Sequence, residues 1–429
     1  MAAWVARWRR PGLLSVWSLR MSLSSPSPDA AGSPAARGSP LEVLLAFFRL
    51  GLMSFGGPVA HLGYFRNEFV ARRRWLDDQA YSDLVALCQF LPGPASSQVG
   101  FALGLQRAGW LGGLAAWVAF TLPSALLLMA FAYGAMHGSG PLAAGLGQGL
   151  MIAAVAVVAQ AVWGMGRALC PDRPRAGLAV GAALLALAWP GSGGQLAAIL
   201  GGAVFGAWKL AGAPAPALRE AGCPVSPRQG VALLGVCALL LLGLPWLAFW
   251  LGGLALPAVA TVFQAGALVF GGGHVVLPLL EAGVVETGWV GEAVFLAGYG
   301  AAQAVPGPLF SFAAYLGMVM PAPFGGWLGG LVLLVAVFAP GLLLVAGVLP
   351  FWERWRRHAL APRILAGVNA AVVGILLAAL YDPVWTSAIT DRAAFAVGLA
   401  AFGLLVVGRA PPLLVVAGCA LAGVSMALV

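Results

Sequence analysis

The chain has 429 residues, 61% of them hydrophobic and 9% charged, with 23 Lys and Arg against 14 Asp and Glu for a formal charge of +9; its mean hydropathy is +0.93. A soluble globular domain carries roughly 45–50% apolar and about 25% charged residues, so the composition places the chain in a membrane, where Arg sets orientation and no soluble basic domain is left to bind nucleic acid. The five cysteines, Cys88, Cys170, Cys223, Cys237 and Cys419, are scattered without a CxxC or a His at ligand spacing, so they read as packing residues and imply neither a metal nor a disulfide.

Helices must carry the fold, because the alternating pattern of an outer-membrane barrel is nowhere visible. Residues 1–40 stand apart: they are rich in Arg, Ser, Ala and Pro and have no acidic residue before Asp29. Such a segment is either an organelle transit peptide or a disordered basic tail with translation starting at Met21; the lack of amphipathic periodicity from Ser22 to Pro40 favours the tail. Leu41 to Phe55 is then apolar apart from Glu42, Arg49 and Ser54, and it runs into Gly56-Gly57-Pro58 where a spanning helix should have its middle. A second break, Pro92-Gly93-Pro94, interrupts Leu87 to Gln98. Each Pro removes a donor and pushes its predecessor out of the α region, and Gly leaves the backbone open, so no helix runs through. At membrane depth such backbone is tolerated only where it lines a protected cavity.

Both breaks return. Gly266 to His274 echoes Gly51 to Val59, and Ala301 to Phe312 echoes Leu87 to Gln98, with Gln303, Pro306-Gly307-Pro308 and Ser311 in the register of Gln89, Pro92-Gly93-Pro94 and Ser97. Trp75 pairs with Trp289, Gly109 to Gly113 with Gly326 to Gly330, Pro123 with Pro340, and Gly149 with Gly367. The chain therefore divides into a basic extension (1–40), a first repeat (41–166), linking helices with an odd crossing (167–256), a second repeat (257–382) and C-terminal helices (383–429).

Charge sets the orientation of the copies. The loop after the first break carries Arg66, Arg72, Arg73 and Arg74, while its echo carries Glu281, Glu286 and Glu292; later in the units Met136 to Gly145 has no basic residue, while Arg354, Arg356, Arg357 and Arg363 crowd its counterpart. By the positive-inside rule the repeats face opposite ways. The expected fold is an all-α polytopic membrane protein of two inverted-topology repeats whose broken, re-entrant helices meet near the bilayer midplane, with nine crossings and four re-entrant hairpins.

Half-helices aimed at the midplane present unpaired N–H groups and the positive ends of their dipoles, which suits an anion. The candidate binding residues are those at and beside the breaks: Arg49, Ser54, Gly56, Gly57, Gln89, Gly93, Ser96, Ser97 and Gln98 in the first repeat, and Gly271, Gly272, Gln303, Gly307 and Ser311 in the second. Pro58, Pro92, Pro94, Pro306 and Pro308 make the breaks. Arg49 lies well inside an apolar segment, where it could fork onto an oxyanion, snorkel to the interface or pair with Glu42. His61 and His274 follow the glycine breaks, as proton-coupling relays or as neutral hydrogen-bonded core residues.

The run from Phe48 through Ser54-Phe55-Gly56-Gly57-Pro58-Val59-Ala60-His61, with Arg73-Arg74-Trp75-Leu76 and Gln89 to Gln98, resembles the long-chain chromate transporters of the chromate ion transporter family. The resemblance implies a two-domain, oppositely oriented protein that exports chromate from the cytoplasm on the membrane potential or proton gradient, with sulfate as the look-alike substrate. It also implies a multi-pass cell-membrane location, or an organelle membrane if residues 1–40 are a transit peptide. The second copy departs from the pattern, with Gln264 in the place of Arg49 and Gly273-His274 in the place of Pro58-Val59. A membrane enzyme is disfavoured: there is no HExxH, no GxGxxG after a strand and no paired Cys, and no cofactor is expected. A sulfate or other oxyanion transporter and an anion channel stay open, as does the oligomeric state, a homodimer included.

Overall fold

The computed structural model describes residues 38–428 apart from 56, 139, 211–223, 271–272 and 353–359. The extension up to Arg37, and with it Gly56, Gly271, Gly272, Cys223 and the Arg354 to Arg357 group, thus lies outside the described residues. All regular structure among the described residues is helical.

In the first repeat, Ser39 caps α1 (Pro40–Met53) by accepting the Glu42 N–H at 3.1 Å, and Val43, Ala46, Phe47 and Leu50 form its buried stripe. The glycine break separates it from α2 (Gly57–Phe65), which continues as a π-helical stretch, Arg66–Arg72. Asp77 caps α3 (Asp78–Phe90), which stops at the first proline of the second break. The next helix, α4 (Ala95–His137), is two pieces joined at Ala108 and Gly109; Gly109 has φ +68°, a conformation that suits a residue without Cβ. A half-helix thus returns to Arg107 before a span begins at Trp110. The repeat's last long helix is α5 (Pro141–Leu169).

A hairpin of α6 (Arg173–Ala188) and α7 (Ser192–Lys209) and the span α8 (Pro227–Leu251) lead to the second copy. Its elements follow the first copy's order: α9 (Ala255–Leu268), a 3-10 turn into α10 (Val276–Val284), α11 (Glu292–Ala302), a 3-10 turn into α12 (Phe312–Val319), then α13 (Trp327–Val348) and α14 (Leu360–Ala379). Gly326, at φ +85°, turns the chain where Gly109 does. A π-helical stretch, Leu380–Trp385, leads to the closing hairpin of α15 (Arg392–Val406) and α16 (Pro412–Leu428).

Side chains at one end of the first repeat show its segments to be re-entrant. Glu42, at the start of α1, pairs with Arg107 at 3.2 Å and Arg73 at 3.8 Å, and accepts the Trp75 indole N–H at 3.2 Å. The start of α1, the loop after α2 and the end of the half-helix therefore meet at one place, so each broken segment enters and comes back to the side it left.

Among the described residues five helices are long and apolar enough to cross a bilayer: α4, α5, α8, α13, and α14 with its extension. The nine crossings read from the sequence add α6, α7, α15 and α16 to these. With 16, 18, 15 and 17 residues, α6, α7, α15 and α16 lie at or just below the short end of spanning lengths, roughly 17–25 residues. Because they come as hairpins, the chain leaves each pair on the side it entered, and the opposite orientation of the repeats is untouched.

The repeats are interlocked. The α6–α7 hairpin packs on α14 of the second repeat, and the α15–α16 hairpin packs on α5 of the first. Both contacts run through small residues: Gly202 and Gly206 against Gly367 and Ala371, and Gly145 and Gly149 against Cys419 and Gly423, so that a Cβ on Gly149 would collide with the Cys419 carbonyl.

Candidate functional site: a cavity where the breaks cross

The four breaks meet in crossed pairs. The Gly93 N–H donates to the Val269 carbonyl at 2.7 Å, and the Gly307 N–H donates to the Ser54 carbonyl at 2.9 Å. Ser54 and Val269 are the residues on which α1 and α9 end, so the Pro-Gly-Pro glycine of each repeat caps the first half-helix of the other. Both glycines hold positive φ, +119° and +105°, which turns their N–H groups across the interface.

Beside the Gly307 crossing lies a cavity of about 100 Å³, room for three waters at ~30 Å³ each or one small oxyanion. Four helical starts border it: Gly57 and Pro58 open α2, His274 lies in the turn before α10, Leu309 opens the turn before α12, and Pro412 begins α16. Two amide side chains, Gln160 and Gln303, share the wall, and among the described residues no Asp, Glu, Lys or Arg does. The N–H groups at helix starts carry partial positive charge, which favours an anion beside them without a formal charge.

A hydrogen-bonded chain ties this cavity to the first repeat. The Ser54 carbonyl also receives His61 Nε2 at 3.2 Å, and His61 Nδ1 lies 3.3 Å from Ser96 Oγ. A carbonyl only accepts, so Nε2 carries the proton and Nδ1 accepts from Ser96. His61 is 1% exposed and stands edge-on to Phe120 at 5.2 Å: both nitrogens are engaged in the core. In the second repeat His274 Nδ1 sits 2.7 Å from the hydroxyl of buried Tyr299.

The remaining candidates divide. Gln303, Gly57 and Gly307 border the cavity, as do His274 and Pro58. Ser311 donates to Ser124 Oγ at 2.7 Å while Ser124 donates to the Thr121 carbonyl, a buried bridge between the repeats. Gln98 spends both amide hydrogens, on the Pro92 carbonyl at 2.9 Å and the Gly341 carbonyl at 3.0 Å. Its remaining group is an acceptor, which an anion cannot use. Gly93 lies at the other crossing, while Pro94, Pro306 and Pro308 are buried at the breaks they make. Ser54 Oγ and Ser97 Oγ are buried without a hydrogen-bond partner, and Gln303 Nε2, beside the Tyr299 hydroxyl, makes no bond of good geometry, so these groups have donors to spare. Arg49 and Gln89 are exposed and do not border the cavity, and Glu42 pairs with Arg73 and Arg107 instead of Arg49. Sequence reasoning missed Gln160, Pro412, Ser124 and Tyr299. Gln160 left a usable signal, an amide in the apolar run of α5.

Broken repeats that cross beside a cavity bordered by helical starts define a multi-pass membrane protein of the repeat-built transporter class. The Chromate transporter family model matches residues 41–207 and 256–424, and the chain belongs to that family. It is 29% identical over 357 residues to the chromate transport protein of Pseudomonas aeruginosa, covering 80% of each chain. It is 27% identical over 385 residues to a probable chromate transport protein of Synechococcus elongatus, covering 83% of this chain and 87% of that one. A chromate transport protein of Cupriavidus metallidurans is 25% identical over 375 residues, 83% of this chain and 87% of the relative. No solved structure gives a significant match. The two matched stretches take in α6–α7 and α15–α16 along with the broken helices.

Proposed function

We propose that the protein carries chromate, or a sulfate-like tetrahedral oxyanion, out of the cytoplasm across the cell membrane, driven by the membrane potential or the proton gradient. The observation that carries this reading is the cavity at the Gly307 crossing, where helical starts from both repeats converge on a space walled by Gln160 and Gln303 and, among the described residues, by no carboxylate. Gln303, His274 and the backbone at Gly57 hold the anion. Ser54, Ser96, Ser97 and Gln98 keep the crossing in shape, and Arg49 acts from the exposed side of α1 on approaching anions. Alternating access is a rocking of one repeat against the other about the crossed pairs. The names borne by the relatives from Pseudomonas aeruginosa and Cupriavidus metallidurans support chromate over other oxyanions.

The test is accumulation of labelled chromate and, separately, sulfate in inverted membrane vesicles with and without an imposed potential and proton gradient. Saturable accumulation against the gradient is expected. Equilibration without accumulation would mean an anion channel, and a preference for sulfate would change the substrate but leave the site.

A further inference from the structure

Away from the anion cavity, two adjoining apolar cavities form one groove on the membrane-facing surface between α5, the π-helical stretch Leu380–Trp385 and α15. One, of about 440 Å³, runs along Trp163, Gly166 and Arg167; the other, of about 260 Å³, runs along Val155, Phe395 and Gly398; Ala159 and Phe402 line both. Asp382 leaves the helical conformation ahead of Pro383, so the stretch after α14 that forms the groove's second wall runs beside α5 as a kinked π-helical segment.

Three features give the groove an occupant. From Val155 to Arg167 it follows twelve residues of α5, about 18 Å at ~1.5 Å per residue, comparable with the ~15 Å half-thickness of the bilayer hydrocarbon. Its walls are apolar, apart from Arg167 at one end. Arg167 lies in the last turn of α5, is exposed, and among the described residues has no carboxylate within ion-pair distance. Trp163, 54% exposed, stands one turn before it, as an interfacial anchor does. By the sidedness read from the loop arginines, this end faces the cytoplasmic leaflet, where anionic lipids concentrate.

We propose that the groove binds one phospholipid with an anionic head group, its acyl chain lying along Ala159 and Phe402 and its phosphate on Arg167. A free phosphate has no use for the apolar trench, and a second copy of the chain would not require Arg167. The lipid would sit between a helix of the first repeat and the segments that close the second repeat and begin the C-terminal helices, at a joint that the proposed rocking must move.

The test is native mass spectrometry of the full-length protein after reconstitution in mixed phosphatidylglycerol and phosphatidylcholine, followed by graded delipidation. Wild type should retain one phosphatidylglycerol. Arg167→Gln should lose the preference for it by about five-fold, the factor one basic residue contributes at an anionic surface. Ala159→Phe, which fills the stretch common to both cavities, should lose the retained lipid whatever its head group. Gly177→Leu on α6, at a position with open space around it, controls for fold and surface bulk. No head-group preference in wild type, or retention by Ala159→Phe equal to wild type in a folded protein, overturns the proposal. Displacement of the lipid by free phosphate at equal phosphate concentration, or by a second protein copy, overturns it as well.

Discussion

Replacing Gln303 by Leu separates a residue that serves the anion from one that serves the fold. Gln303 borders the cavity beside the Tyr299 hydroxyl, and its buried Nε2 makes no hydrogen bond of good geometry, so in the empty protein it is a poorly satisfied donor. Giving that donor to an oxyanion is worth roughly 1.5–3 kcal/mol, the range for a hydrogen bond to a charged group. The half-saturation concentration for chromate should therefore rise about 10- to 100-fold at 1.4 kcal/mol per decade. Thermal stability should hold or improve, because Leu removes an unsatisfied polar group of similar size. Gln98→Leu should behave in the opposite way. It strips the Pro92 and Gly341 carbonyls of their donor, at about 1–3 kcal/mol for each group left unsatisfied, and so lowers the melting temperature more than it changes half-saturation. Labelled-chromate uptake into vesicles and thermal denaturation in detergent read both quantities. A folded Gln303→Leu protein with wild-type half-saturation would refute the assignment of the cavity as the anion site.

Other outcomes follow from the same geometry. Gly149→Leu and Gly367→Leu, at equivalent positions of α5 and α14, place side chains against the carbonyls of Cys419 and Gly202; each should cost more than ~3 kcal/mol of stability or prevent folding, while Gly177→Leu in open space should be near neutral, as denaturation midpoints would show. Tyr299→Phe removes the 2.7 Å contact to His274 Nδ1; as a positioning residue it should raise half-saturation about five-fold, near the ~1 kcal/mol of one hydrogen bond, with the maximal rate kept. At the first repeat's ion cluster, burial pushes the Glu68 carboxyl up, but hydrogen bonds from Arg73 and Arg72 outweigh it and hold the pKa below its ordinary 4.5. The stability this contributes is present above pH 4.5 and is lost as the pH falls through the depressed value. Melting curves between pH 6 and pH 3 should therefore fall less steeply for Glu68→Gln than for wild type, and parallel slopes would sink the argument.

The breaks were legible because Pro and Gly act on their own backbone whatever surrounds them, and the repeat was legible because the same breaks recur in order. What the residues meet was not. Gln89 and Gln303 hold the same register, yet one is exposed and the other borders the cavity, because register says nothing about the neighbour across the interface. Gln98 drew notice as a donor near a break, but its donors go to Pro92 and to Gly341, in α13. Ser124 and Tyr299 escaped for the converse reason: each sits in an ordinary helical run and matters only through a partner elsewhere, Ser311 or His274.

The two crossings are alike in topology but differ in what packs on them. Ser124 packs on Gly307, beside the cavity; on Gly93 pack the Gln98 side chain and the backbone of Gly341, the counterpart of Ser124. A rocking motion about the crossings has to separate Ser124 from Ser311, whose hydroxyls are 2.7 Å apart across the repeat interface. Cysteines at both positions would bring two sulfurs within reach of a bond of ~2.04 Å across Cβ atoms ~3.5–4.5 Å apart, with little backbone movement. The oxidised double variant should therefore be locked and should accumulate no chromate in vesicles, activity should return on reduction, and each single variant should transport in either redox state. Rocking about this crossing fails if the oxidised double variant, with its disulfide verified by mass spectrometry, transports at the rate of its reduced form. The cavity would then have to fill and empty with the Ser124 contact closed, as in a channel or a carrier whose moving part lies elsewhere.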